Sequence, residues 1–212
     1  MVKKQKLTFC VSGQLWNRSL VMMDVETKTL WSHILGEAMQ GKLKGTQLQT
    51  LPADLVTWKA WKKQHPKTSL LNLSRTSRNY TREFYRRPGA FVLGFVLDGK
   101  PYHASFAFLK DSPLVNFTIG KQALLLTYEE GSTAARLFSR SLDGMQLTFI
   151  EGGRGTLKDK QTGSIWNRST GVAISGKLKG KALKTRVGIP SFTRAWQRFH
   201  PKSRAIQQPS EK

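Results

Sequence analysis

The chain has 212 residues, 39% of them hydrophobic, and its 35 lysines and arginines against 13 acids give a net charge of +22. That length buries roughly two thirds to three quarters of the unfolded surface, enough for a real core. The longest apolar run, Phe91 to Leu97, falls far short of the roughly 20 residues a membrane-spanning helix needs, and a single cysteine, Cys10, excludes both an internal disulfide and a cysteine-only metal cluster.

The basic start leads into Leu7-Thr8-Phe9-Cys10-Val11-Ser12-Gly13, which reads as a short strand entering a turn and not as the apolar stretch of a signal peptide. Short apolar runs bounded by turn formers then recur: Leu20–Met23, Thr29–Ser32, Phe91–Leu97, Tyr102–Phe106, Ala123–Thr127, Ala135–Ser139 and Gln146–Ile150. This rhythm favours strands. Asp98-Gly99 and Asp143-Gly144 are good hairpin turns, because both residue types tolerate the positive φ of a type I′ turn.

Two amphipathic helices are expected. One opens at Pro52-Ala53-Asp54-Leu55 with Leu55, Trp58 and Trp61 on one face; the other opens at Ser191-Phe192 with Phe192, Trp196 and Phe199. Each spans about three turns and stops at His-Pro, because the residue before a proline is disfavoured in a helix. There His65 and His200 are placed to bond the last carbonyls. A third short helix fits Phe106–Lys110.

Much of this is stated twice. Residues 24–68 and 159–203 align at an offset of 135 without a gap, sharing Asp24/Asp159, Thr27/Thr162, Trp31/Trp166 and the block G-x-A-x-x-G-K-L-K-G at 36–45 and 171–180. Leu7-Thr8-Phe9 matches Leu147-Thr148-Phe149 at an offset of 140, so the first copy carries five extra residues around Leu15–Ser19. So long a period points to a duplicated half-domain and not to a solenoid. In G-K-L-K-G the alternation reads as a strand with lysines outward and Leu43 and Leu178 inward, and its glycines suggest a tight bend or a close backbone approach. The expected fold is α+β, predominantly antiparallel β: one pseudo-symmetric duplicated domain with two or three short packing helices. Its first repeat spans 1–79 and is incomplete at its N-terminus; its second spans 80–206, complete but degenerate, and 207–212 form a disordered tail.

Catalytic wording is thin. No two of His33, His65, His103 and His200 stand four apart, no G-x-S-x-G occurs, and no spacing suggests a carboxylate pair or a metal site. Between Asp54 and Glu83, and again from Gly171 to Arg204, basic residues run without an acid. Such stretches attract polyanions of any kind, nucleic acid or anionic surface alike.

Taken together, Leu7-Thr8-Phe9-x-Val11-Ser12-Gly13, Ser19-Leu20-Val21-Met22-Met23-Asp24-x-x-Thr27, Leu30-Trp31-Ser32, Thr57-Trp58-x-x-Trp61, His65-Pro66-x-Thr68 and Val115-Asn116-x-Thr118-Ile119-Gly120 resemble the prokaryotic family known as domain of unknown function 3179. The resemblance covers nearly the whole chain. It implies a bacterial protein that is periplasmic or extracellular in its full-length form, in a family without an established activity and with some selenoprotein members. In that family an H-E-x-V-N-D stretch and a C-P-L-C-G motif precede the first Leu-Thr-Phe, which implies a redox or metal-binding pair there. In the second half of this chain Ser112-Pro113 and Phe117 stand at the first motif, and Glu129-Glu130-Gly131-Ser132 at the second. From this follows the expectation that Met1 is an internal start and that the natural protein extends upstream through a selenocysteine codon.

The functional expectation is a scaffold fragment of an extracytoplasmic redox or metal-handling protein, without cofactor or metal and inactive as an enzyme by itself. A site surviving in the first repeat would be lined by Cys10, Ser12, Asn17, Asp24 and Trp31, where the five-residue insertion breaks the symmetry. The alternative is a basic polyanion-binding module with Lys177, Lys179, Arg194 and Arg198 as contacts.

Overall fold

A computed structural model describes residues 6–70 and 87–207. The tail 208–212, and with it most of the expected disordered segment, lies outside the described residues, as do the sequence positions 1–5 and 71–86. Two four-stranded antiparallel meanders repeat the sequence duplication in space. The first is β1 (Phe9–Trp16), β2 (Ser19–Asp24), β3 (Leu30–Ser32) and β4 (Glu37–Gln40), in that spatial order. The second runs β12 (Phe149–Gly153), β13 (Thr156–Asp159), β14 (Ile165–Asn167) and β15 (Ala173–Ser175). Their registers correspond: Phe9 faces Asp24 as Phe149 faces Asp159, and Met22 faces Trp31 as Leu157 faces Trp166. The extra residues of the first copy lengthen β1, whose turn is made by Asn17 and Arg18 in the left-handed region (φ 49° and 62°) and whose register shifts between Val11 and Leu15.

Between the repeats lie β5 (Phe91–Leu97), β6 (Lys100–Ser105), β7 (Leu114–Ile119), β8 (Gln122–Glu129) and β9 (Ala134–Ser139). A two-stranded ribbon, β10 (Ser141–Leu142) and β11 (Met145–Gln146), leads on to the second meander. Strands from the C-terminal region complete the two central sheets. β16 (Thr185–Arg186) extends the order β16-β9-β8-β7, while β17 (Ile189–Phe192) and β18 (Arg204–Ala205) flank β5 and β6. The β18–β6 pairing is parallel; every other strand pairing among the described residues is antiparallel.

β8 is apolar along its length because both of its faces are covered. Leu124 and Leu126 join Leu93, Phe95 and Leu137 in one core, while Leu125 joins Phe138, Phe149 and Trp166 in another. The layers are therefore β5–β6, then β7–β9, then the second meander. A strand buried on two sides loses the polar alternation of a half-exposed one. The first meander attaches elsewhere, through Ile34 packed with Val92 and Trp196, and through Trp16 set edge-on to Phe199 at 4.7 Å.

The helices are shorter than their periodicity suggests: α1 (Trp58–Gln64), α2 (Phe106–Asp111) and α3 (Thr193–Phe199). Residues 52–57 are not helical, because the segment is tied to β9 and to the β8–β9 turn. Asp54 pairs with Arg136 at 2.7 Å and the Thr57 amide donates to the Ser132 carbonyl. Thr57 then caps α1 by accepting from the Ala60 amide. His65 and His200 do stop their helices, but by backbone N–H donation to Trp61 and Trp196; their rings stack on those tryptophans at 4.0 and 4.1 Å. G-K-L-K-G is a turn and not a strand. Gly41 and Gly176 take φ values of 109° and 87°, and a Cβ there would lie 2.9 Å and 2.7 Å from the Cα atoms of Thr29 and Ser164. Leu43 and Leu178 are buried as expected. Both Asp-Gly pairs have positive φ at each residue, as type I′ hairpins require.

Candidate functional site

Asp24 and Trp31 sit together at the centre of the first meander, both fully buried. The indole Nε1 donates to Asp24 Oδ2 at 2.9 Å, and Thr27 supplies its amide at 2.5 Å and its hydroxyl at 2.8 Å to Oδ1. Burial pushes the carboxyl upward, but the hydrogen bonds from Trp31 and Thr27 outweigh it and hold Asp24 below the usual carboxylate range. Asp159, Thr162 and Trp166 repeat the knot with the same 2.9 and 2.5 Å contacts, and the Asp159 carboxyl is lowered for the same reasons. A carboxylate so fully occupied by donors is suited to fixing the turn that joins two strands, β2 to β3 and β13 to β14.

The other candidates of the first repeat stand apart. Phe9 lies opposite Asp24, and its ring meets Trp31 edge-on at 5.5 Å, so Cys10 and Ser12 project from the other face of β1. There Cys10 Sγ reaches the Met23 carbonyl at 3.4 Å, and the Ser12 hydroxyl donates to the Val21 carbonyl at 2.6 Å. Asn17 is at the β1–β2 turn. Asp24 and Trp31 are thus brought together, whereas Cys10 and Ser12 lie on the opposite face of β1 and Asn17 lies at its turn. Lys177 and Lys179 occupy the turn after β15, and Arg194 and Arg198 lie on α3; all four are exposed, and none joins an ion pair among the described residues.

Sequence reasoning passed over two residues that matter more, Asn116 on β7 and Arg140 just after β9. The Asn116 carboxamide brackets one residue of β12, accepting from the Phe149 amide and donating to the Phe149 carbonyl, each at 2.8 Å. Arg140 is buried without a carboxylate partner among the described residues and donates to three carbonyls: Leu124 at 2.8 Å, Leu147 at 2.5 Å and Phe117 at 3.2 Å. Its own carbonyl accepts from the Leu147 amide at 2.8 Å. The β7–β9 sheet therefore covers the second meander with apolar side chains and also satisfies the outward backbone of Leu147 and Phe149.

Nothing among the described residues does this for the first meander. Phe149 is 2% exposed and its counterpart Phe9 is 38% exposed; Leu147, Leu157 and Leu183 are buried where Leu7, Met22 and Leu48 are half-buried. Among the described residues no hydrogen bond engages the amides or carbonyls of Leu7 and Phe9 that correspond to those held by Arg140 and Asn116.

Elsewhere, Trp196 Nε1 donates to the Ser203 hydroxyl at 2.8 Å, which in turn meets His103 Nδ1 at 2.8 Å. The first repeat keeps the indole-to-hydroxyl link, Trp61 to Thr68 at 3.1 Å, without a histidine, which marks it as a tie for the helix end. No group of three or more histidine, cysteine or acidic residues able to hold a metal occurs among the described residues.

A family model described as "Protein of unknown function (DUF3179)" matches residues 1–88 and 86–203. No curated protein and no solved structure matches the chain.

Proposed function

The chain belongs to the DUF3179 family of proteins of unknown function, and on that premise we propose that it is a binding scaffold, holding another polypeptide on the open face of its first meander. In this reading it contributes framework and no reacting group to a redox or metal-handling protein outside the cytoplasm. Its halves, residues 1–79 and 80–206, are products of a duplication that fold as one unit. One observation carries the reading: Phe9 and Phe149 hold the same place in corresponding sheets, yet only Phe149 is covered. Exposed aromatic surface over a preformed apolar layer is the ordinary mark of a protein-binding face.

Amide hydrogen exchange on the full chain, followed by NMR at a concentration where sedimentation shows a monomer, tests this. The amides of Leu7 and Phe9 should exchange orders of magnitude faster than those of Leu147 and Phe149. Equal protection in the monomer means the face is closed, and the scaffold reading fails.

The second reading, polyanion binding, draws on the exposure of Lys177, Lys179, Arg194 and Arg198 without ion-pair partners among the described residues. It requires binding to DNA, heparin or anionic vesicles that weakens as salt rises.

A further inference from the structure

Resting on the scaffold reading, we infer that the occupant of the first meander is a β-sheet of a separate polypeptide that carries an asparagine and an arginine in the places of Asn116 and Arg140. Apolar contact alone does not suffice here. The outward amides and carbonyls of Leu7 and Phe9 are satisfied by water while the face is open. Docking strips that water away, and each buried group left unpaired weakens binding about ten-fold. A partner must therefore bring groups that pair with them, and the second meander displays the solution. A carboxamide presents one donor and one acceptor, as a peptide group does, and at 2.8 Å on each side it takes the place of a ladder partner for Phe149. A guanidinium gives one N–H to the Leu147 carbonyl while its others hold Leu124 and Phe117 of the covering sheet, which fixes it in place.

The shape of the face agrees. The Phe138 ring seats so closely on Gly171 that a Cβ there would lie 2.8 Å from it, whereas around the corresponding Gly36 the nearest atoms are Thr50 Oγ1 and Leu48, with no ring in that place. An aromatic side chain of the partner fits that seat. A second copy of this chain is a poor occupant, because its own Asn116 and Arg140 are engaged at Phe149 and Leu147, and two chains of net charge +22 repel.

The probe is a backbone-cyclised hairpin with the sequence of residues 112–129, which contains β7, the turn at Gly120 and β8. Cross-strand NMR contacts between its Phe117 and Leu124 positions establish that the hairpin has formed. Added to the full chain, it should slow exchange at the Leu7 and Phe9 amides and shift the Trp31 indole resonance, saturably. The same hairpin carrying N116L should bind at least ten-fold more weakly. A formed hairpin that leaves both amides unprotected, or an N116L hairpin that binds equally well, overturns this inference while leaving the scaffold reading intact if those amides exchange fast in the free chain. Dimerisation of the chain that buries Phe9, abolished by F9K, also overturns it, since the occupant is then a second copy. As a second probe, full chain carrying F9K should lose hairpin binding while its Leu147 and Phe149 amides stay protected; hairpin binding retained by F9K places the contact elsewhere and counts against the inference.

Discussion

Trp196 lies so flat against Gly94 that a methyl group on the glycine would come within 2.4 Å of the indole ring. The glycine in the middle of β5 is thus a seat for the buried face of α3, which leaves Trp196 fully buried. Gly94→Ala should force a backbone or ring displacement and destabilise the chain by about 1–3 kcal/mol, the usual cost of overpacking. Urea unfolding followed by tryptophan fluorescence reads it; an unchanged midpoint would mean that the indole does not bear on Gly94.

The two carboxylate knots should differ in worth although their distances agree. Asp24→Asn and Asp159→Asn each turn an amide N–H donor toward the donors of the knot, at about 1–3 kcal/mol per orphaned buried group. The second knot lies under the β7–β9 sheet and the first does not, so Asp159→Asn should cost more than Asp24→Asn. Equal losses in thermal unfolding would show that the covering layer adds nothing to the knot.

Stability should fall on acidification in two windows. Burial lowers the imidazoles of His103 and His200, so the unfolded chain binds protons there first and stability is lost as pH drops below about 6.5. Asp24 and Asp159 are lowered as well; their contribution is fully present above about pH 3.9 and is lost as pH falls through their folded values. A denaturation midpoint measured from pH 8 to pH 3 should decline in both ranges, and a double His103→Phe, His200→Phe variant should flatten only the upper one.

Charge reversal separates local from diffuse polyanion binding. If Lys177 and Lys179 meet the phosphates of a duplex, Lys177→Glu with Lys179→Glu should reduce the slope of log K against log salt by roughly one for each phosphate no longer neutralised. The same holds for Arg194→Glu with Arg198→Glu. A slope that both pairs leave untouched assigns the binding to the overall positive field of the chain.

Much of the architecture is legible in the sequence because strands announce themselves by their boundaries. The Asp-Gly hairpins form, Leu43 and Leu178 turn inward, and the antiparallel β-rich class holds. Helical periodicity misleads at Pro52–Val56, where Asp54 is drawn to Arg136 and no local pattern can announce a distant ion pair. G-K-L-K-G alternates like a strand, yet the left-handed φ values of Gly41 and Gly176 turn it, a property that glycine permits without advertising. The parallel pairing of Arg204 with Tyr102 joins residues about a hundred positions apart and leaves no local signal. For the site, Asp24 and Trp31 are recognisable from their repetition. The unequal covering of Phe9 and Phe149 is not, since identical letters stand in both places and the difference lies in what else is folded over them.

Ile34 reaches across to Val92 and Trp196, and Trp16 rests on Phe199. This sets an order of events during synthesis. The surface that anchors the first meander includes α3, which is made more than 150 residues after it. The first meander therefore cannot settle into place as it is made: it must wait for α3, and until that helix arrives Trp16 lacks the Phe199 ring it rests on.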